Sequence, residues 1–265
     1  MNKTDIEWAD MTWNPVVGCK HGCEYCYARR YAKRFGGYDK GDGTITTRNP
    51  LPRAELHQPL TITRKSGKTV NSPFPFGFEP TVLHYRLEEP QHRRDSQTIF
   101  VCSMADLFGS WVPTRWIRDV LDACAAAPQH RYMFLTKHPA RYLELDKVAL
   151  LPHGDNFWYG STVPDETAQA MYPKAEDINT FWSMEPLLGP VDITESEGLP
   201  QWIILGAMTG PGSAERQPKQ EWVEDIVRAA DANGIPVFMK NSLLPIIGEE
   251  NMRREFPWEV SGRDD

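Results

Sequence analysis

Three cysteines fall within eight positions of one another in the stretch NPVVGCKHGCEYCYARRYAKRF, residues 14–35: Cys19, Cys23 and Cys26. Thiolates are soft ligands, and in a C-x3-C-x2-C arrangement they point to zinc or to an iron–sulfur centre. A structural zinc site takes four protein ligands, usually as two pairs, and the chain has no second cysteine pair. Three thiolates leave one metal position open. That suits a [4Fe-4S] cluster with one iron free to bind a small molecule. The zinc alternative recruits His21 as a fourth ligand; in the cluster reading His21 shields the cluster or hydrogen bonds to a sulfur. The other two cysteines, Cys102 within an apolar run and Cys124 beside Ala123 and Ala125, read as small buried hydrophobes.

A second set of polar residues follows apolar runs along the chain. IFVCSMADLFG ends in Ser103 and Asp106, YMFLTKHPAR in Thr136, Lys137 and His138, and WYGSTVPDE in Ser161 and Thr162. FWSMEPLLGP offers Ser183 and Glu185, IILGAMTGPG a Gly-rich turn around Thr209, and VFMKNS Lys240 and Asn241. Lys137 and Lys240 are the candidates for substrate, since an ammonium group suits a phosphate or carboxylate. Each residue also has a structural role open to it: Asp106 as a turn cap, Lys137 reaching solvent, Glu185 paired with Lys137 or Lys240.

These residues need elements to position them. Short apolar runs predict strands over Asp5–Thr12, Thr98–Ser103, Arg131–Thr136, Phe157–Thr162, Asn179–Met184, Trp202–Ala207 and Ile235–Lys240. Helical spacing is expected over Cys23–Phe35, Thr114–Ala127, Pro139–Leu145, Pro164–Tyr172 and Lys219–Asn233, the last stopped by Gly234. Alternating strand and helix implies βα units around a parallel sheet, as an open or closed barrel, with chemistry at the strand ends. Residues 36–80, rich in Gly, Pro, Thr and Arg, read as an irregular insertion lying over the site, and the chain ends in a short polar tail. In the cysteine-loop helix, Tyr27, Tyr31 and Phe35 form a core-facing stripe, with Arg29, Arg30, Lys33 and Arg34 on solvated faces.

The 265 residues, 40% apolar and 25% charged, suffice for a substantial core in a single domain. A formal charge of −7 argues against nonspecific coating of duplex nucleic acid, though not against a local basic patch. No apolar run reaches the length of a signal peptide or membrane span, and the odd, crowded cysteines do not form a disulfide framework, so a cytoplasmic protein is expected.

The cysteine spacing, with aromatic Tyr25 before the third cysteine, resembles the signature of the radical S-adenosylmethionine enzymes. The resemblance implies a full or partial (β/α) TIM-like barrel, and a [4Fe-4S] cluster on Cys19, Cys23 and Cys26 whose open iron is chelated by S-adenosylmethionine. It implies a 5′-deoxyadenosyl radical that abstracts hydrogen, and an electron donor of flavodoxin or ferredoxin type. Strand-end residues of that family hold S-adenosylmethionine, which makes Tyr25, Ser103, Asp106, Ser161, Thr162 and Glu185 the candidate cofactor contacts. SMAD, residues 103–106, stands where the family carries Gly-Gly-Glu. TWNPVVGC, SMADLFG, FLTKHPAR, SMEPLLGP and the GPG turn together resemble a phage-associated three-cysteine family, and GCEYCY is similar to spore photoproduct lyase. These likenesses imply a nucleobase, nucleotide or DNA substrate, such as an amino-acid-substituted thymine isomerised from a nitrogen link to a carbon link. A free amino acid or peptide substrate, or a zinc-binding interaction module, are the alternatives.

Overall fold

The computed structural model describes residues 1–50, 54–193 and 198–260, so residues 261–265 of the expected polar tail lie outside the described residues. The chain divides into two compact units, Met1–Phe134 and Leu135–Asp265.

In the first unit, β1 (Asn2–Lys3) pairs antiparallel with β2 (Met11–Trp13), which lies parallel to β10 (Thr98–Val101); β10 in turn lies parallel to β11 (Arg131–Thr136), within which the first unit ends. The first expected strand is thus confined to its end, because residues 5–10 turn: Ala9 N–H donates to Ile6 O and Asp10 N–H to Thr98 O. β3 (Val16–Val17) follows, then the cysteine loop and α1 (Tyr27–Phe35). The segment expected to be irregular holds two hairpins, β4 (Tyr38–Asp39) with β5 (Ile45–Thr46) and β7 (Thr61–Thr63) with β8 (Thr69–Asn71). Between them β6 (Ala54–Leu56) joins β9 (Thr81–Leu83), which also pairs with β3. Its Gly and Thr content serves hairpin turns and exposed strand faces, which an apolar-run search passes over. α2 (Thr114–Ala125) buries Trp116, Ile117, Val120 and Leu121.

The second unit orders β12 (Phe157–Thr162), β13 (Asn179–Met184), β14 (Ile203–Leu205) and β15 (Val237–Met239) side by side, all parallel. Such strands are apolar on both faces, which is why short continuous runs identify them. α3 (Ala140–Asp146) precedes them, and α4 (Gln220–Ala232) packs Val223, Ile226 and Ala230 against Met184, Leu205, Val237 and Met239. Gly234, φ 65°, lets Ile235 N–H return to the Ala230 carbonyl, and this stops α4 where the sequence predicts.

The helix expected over Pro164–Tyr172 is absent. Asp165 Oδ1 takes the Thr167 N–H and hydroxyl, and the Pro164 carbonyl accepts Leu188 N–H at 2.7 Å, so local side-chain bonds and the loop after β13 claim the backbone. α5 (Leu244–Ile247) and α6 (Pro257–Val260) complete the unit. Among the described residues no helix is long and apolar enough to cross a membrane.

Candidate functional site

The cysteine loop is pinned before its first thiol. Gly18 donates its N–H to Met104 O at 3.0 Å and bridges Ala105 in parallel register, so the loop starts beyond the C-terminal end of β10. Its φ is 86°, and a Cβ there would stand 2.4 Å from the Glu79 carbonyl oxygen, so both backbone conformation and space demand glycine. Cys19 N–H then donates to Phe78 O at 3.2 Å, which brings the end of the inserted segment onto the loop.

α1 begins at Tyr27 rather than Cys23. Cys26 is its N-cap, in extended conformation, and its Sγ accepts the Arg29 N–H at 3.3 Å, while Cys26 N–H turns back to Cys23 O. Arg29 reaches the Cys19 carbonyl at 3.1 Å and lies 4.9 Å over the Phe78 ring, so it ties the two ends of the loop together instead of facing solvent alone. All five cysteines are free, with Cys102 and Cys124 buried as expected and the other three half-buried.

Burial pushes the Cys19 thiol up to about 11, opposed by a hydrogen bond from the His21 backbone and reinforced by the charges of Asp106, Cys26 and Cys23. In this conformation no three or more His, Cys, Asp or Glu side chains among the described residues are grouped as a metal-ligand set. What fits an iron–sulfur cluster is the donor chemistry: three free soft thiols in one loop, two of them with backbone N–H donors directed at sulfur.

His21 Nε2 lies 2.7 Å from Asp106 Oδ2, and the imidazole meets the Trp111 ring edge-on at 4.8 Å. Asp106, 5% exposed, also accepts the Phe108 N–H at 3.1 Å. Asp106 therefore caps its own turn and holds the cysteine loop. Ser103 donates its hydroxyl to Asn14 Oδ1 at 3.2 Å, and its carbonyl accepts the Tyr27 hydroxyl at 2.7 Å. Buried Asn14 accepts Met104 N–H through the same oxygen. Cys102 opens this loop with a left-handed backbone, φ 58°, a conformation that costs a non-glycine residue energy and recurs at functional sites. Tyr25 is half-buried. Sequence reasoning missed Asn14, Arg29 and Trp111 as loop-holding residues; the one available signal was a polar Asn between the apolar residues Trp13 and Pro15–Val17.

In the second unit the strand-end residues are arranged by register. Thr162 stands opposite Ser183, both nearly buried, while Ser161 is fully buried with the Tyr172 hydroxyl beside it. Beyond the paired positions Met184, Leu205 and Met239 come Glu185, Gly206 and Lys240. Lys240 Nζ donates to Glu185 Oε1 across Gly206. A Cβ on Gly206 would lie 3.1 Å from Glu185 Cγ and 3.4 Å from Lys240 Cδ, so the missing side chain makes room for the pair. Lys137 is half-buried, and its neighbour His138 donates its N–H to Thr136 Oγ1 at 2.9 Å. Thr209 is exposed, and Asn241 accepts from Arg254.

A family model described as "Protein of unknown function (DUF5131)" matches residues 3–244. The chain belongs to this family. The DUF5131 match takes in the cysteine loop, the strand ends of both units and Lys240. None of the curated proteins and none of the solved structures matches the chain.

Proposed function

We propose that this DUF5131 chain is a radical S-adenosylmethionine enzyme whose [4Fe-4S] cluster is held by Cys19, Cys23 and Cys26. The observation that carries the reading is three free, half-buried thiols in one loop, set beyond the C-terminal end of β10 and tied down on both sides. Held by Cys19, Cys23 and Cys26, such a cluster would supply one-electron reductive cleavage of S-adenosylmethionine and so hydrogen abstraction from the substrate.

The chain's own groups divide the remaining work. The Arg29 and His21 backbone N–H groups hydrogen bond toward Cys26 and Cys19 sulfur and so tune the thiolates. Asp106 and Asn14 hold the loop, with Ser103 engaged at Asn14. In the second unit Lys240, supported by Glu185, is the group for an anionic part of the substrate, with Lys137 a further cation and Thr162 a hydroxyl for S-adenosylmethionine. The parallel strands within each unit support a (β/α) barrel of the radical S-adenosylmethionine type.

The substrate is a nucleobase, free or in DNA, modified by isomerase- or lyase-type chemistry, and the electron donor is of flavodoxin or ferredoxin type. The likeness of the cysteine core to spore photoproduct lyase and the wider resemblance to a phage-associated family support this substrate class.

The test is anaerobic reconstitution with iron and sulfide, followed by assay of iron, sulfide, zinc and 5′-deoxyadenosine formed from S-adenosylmethionine under dithionite. The expected result is about four irons and four sulfides per chain with deoxyadenosine release, both lost in Cys23→Ala. Stoichiometric zinc without sulfide or deoxyadenosine would overturn the reading.

A further inference from the structure

α1 turns its tyrosines outward. Ala28 and Ala32 are the residues it buries, whereas Tyr27 is 50% and Tyr31 43% exposed, contrary to the core-facing stripe expected from their spacing. The reason is room: small alanines let the helix approach the core closely, and the larger rings flank that contact, part exposed, instead of filling it. Tyr27, Arg30, Tyr31 and Arg34 then follow one another at i, i+3, i+4 and i+7 along one exposed face.

This face differs from the rest of the molecule. The large apolar side chains exposed among the described residues are Tyr27, Tyr31, Ile45, Val148, Leu199 and Leu244, and both aromatic ones lie here. The nine residues of α1 carry Arg29, Arg30, Lys33 and Arg34 and no acid, in a chain whose formal charge is −7. The rings are also held in place. Tyr27 is anchored through its hydroxyl to Ser103 O, and Tyr31 packs 4.5 Å from Phe35 and 6.1 Å from Phe74, centroid to centroid. Fixed rings lose little entropy when a partner stacks on them.

We propose that this face binds a single-stranded nucleic acid, with bases stacking on Tyr27 and Tyr31 and phosphates meeting Arg30 and Arg34. Interleaved aromatic rings and cations match what such a strand presents, a π-face on every base and a charge on every phosphate. A duplex hides its base faces. A second copy of the chain docking through the same face would bring two sets of like charges together. The proposal rests on the proposed function only for its substrate class and needs no cluster.

The experiment is fluorescence anisotropy of the full-length chain, before any iron is added, with a labelled single-stranded DNA oligonucleotide and the matching duplex across a salt series. Binding that weakens with salt is expected, tighter for the single strand. Tyr31→Ala should weaken it by at least ~5-fold, the low end of base–aromatic stacking. Arg30→Glu with Arg34→Glu should weaken it ~10-fold or more, with circular dichroism showing each variant folded. Absence of single-strand binding, equal affinity in these variants, or retention of anionic phospholipid vesicles in place of the oligonucleotide would overturn the proposal. Because the readout is binding without a cluster, its failure leaves deoxyadenosine release to be judged separately, and the reverse.

Discussion

Asp106 holds His21. The buried carboxylate sits 2.7 Å from His21 Nε2 and joins the loop after β10 to the loop that carries all three clustered cysteines. A residue expected at the cofactor thus has one oxygen on the histidine and the other on its own turn, at Phe108 N–H. His21, the fourth ligand a zinc site would need, has its Nε2 committed to Asp106.

Asp106→Ala removes the acceptor for both groups. Leaving buried donors unsatisfied costs about 1–3 kcal/mol. We expect a lower unfolding midpoint and fewer irons and sulfides retained per chain after reconstitution, with Asp106→Asn intermediate because it keeps one acceptor oxygen. Full iron retention in both variants would detach Asp106 from the cysteine loop.

The Glu185–Lys240 pair should be sensitive to the glycine between its members. Gly206→Ala places a Cβ 3.1 Å from Glu185 Cγ, and over-packing of this kind costs about 1–3 kcal/mol. A double-mutant cycle of Glu185→Gln and Lys240→Met should give a coupling of about 0.5–1 kcal/mol, since the pair is partly exposed. Zero coupling measured by chemical denaturation would mean that the two charges do not support each other.

Gly160→Ala tests the packing of the second unit. An added Cβ would lie 2.2 Å from the Phe181 ring, and that ring is fully buried. The expected loss is about 3 kcal/mol or more, read as a shift in urea midpoint without a change of slope. A midpoint within error of the parent would contradict the close contact.

His153 bridges Asp146 at 2.8 Å and Asp177 at 2.9 Å. Burial alone would lower its pKa, but the two carboxylate hydrogen bonds and charges outweigh it and hold the imidazole above its ordinary 6.5. Folding therefore favours the protonated form. The stabilisation is complete below the unfolded value of about 6.5 and is lost as pH rises through the folded one. Thermal midpoints should decline across that interval, and His153→Gln should flatten the decline; parallel profiles for the two proteins would refute the assignment.

Largely buried parallel strands announce themselves as short apolar runs, so Arg131–Thr136, Phe157–Thr162 and Asn179–Met184 match their expected bounds residue for residue. Weaker, half-exposed pairings such as β4 with β5 or β7 with β8 carry no such run. The Pro164–Tyr172 segment has helical composition, but the Asx turn at Asp165 and the bond from Leu188 to Pro164 depend on partners that are local in chemistry or distant in sequence.

By itself the sequence determined that three thiols, Cys19, Cys23 and Cys26, share one short loop, because residue type and spacing are read directly from it. It also determined where the parallel strands of the second unit lie, because burial on both faces of a strand demands continuous apolar runs, but not the helix expected between β12 and β13. Tertiary structure alone decided which way the α1 tyrosines face, that Asp106 holds His21, and that Lys240 pairs with Glu185 across Gly206. Each of these depends on which groups meet across 55 or more positions of chain, or on the space a helix finds beneath it, and spacing along a single strand or helix carries neither.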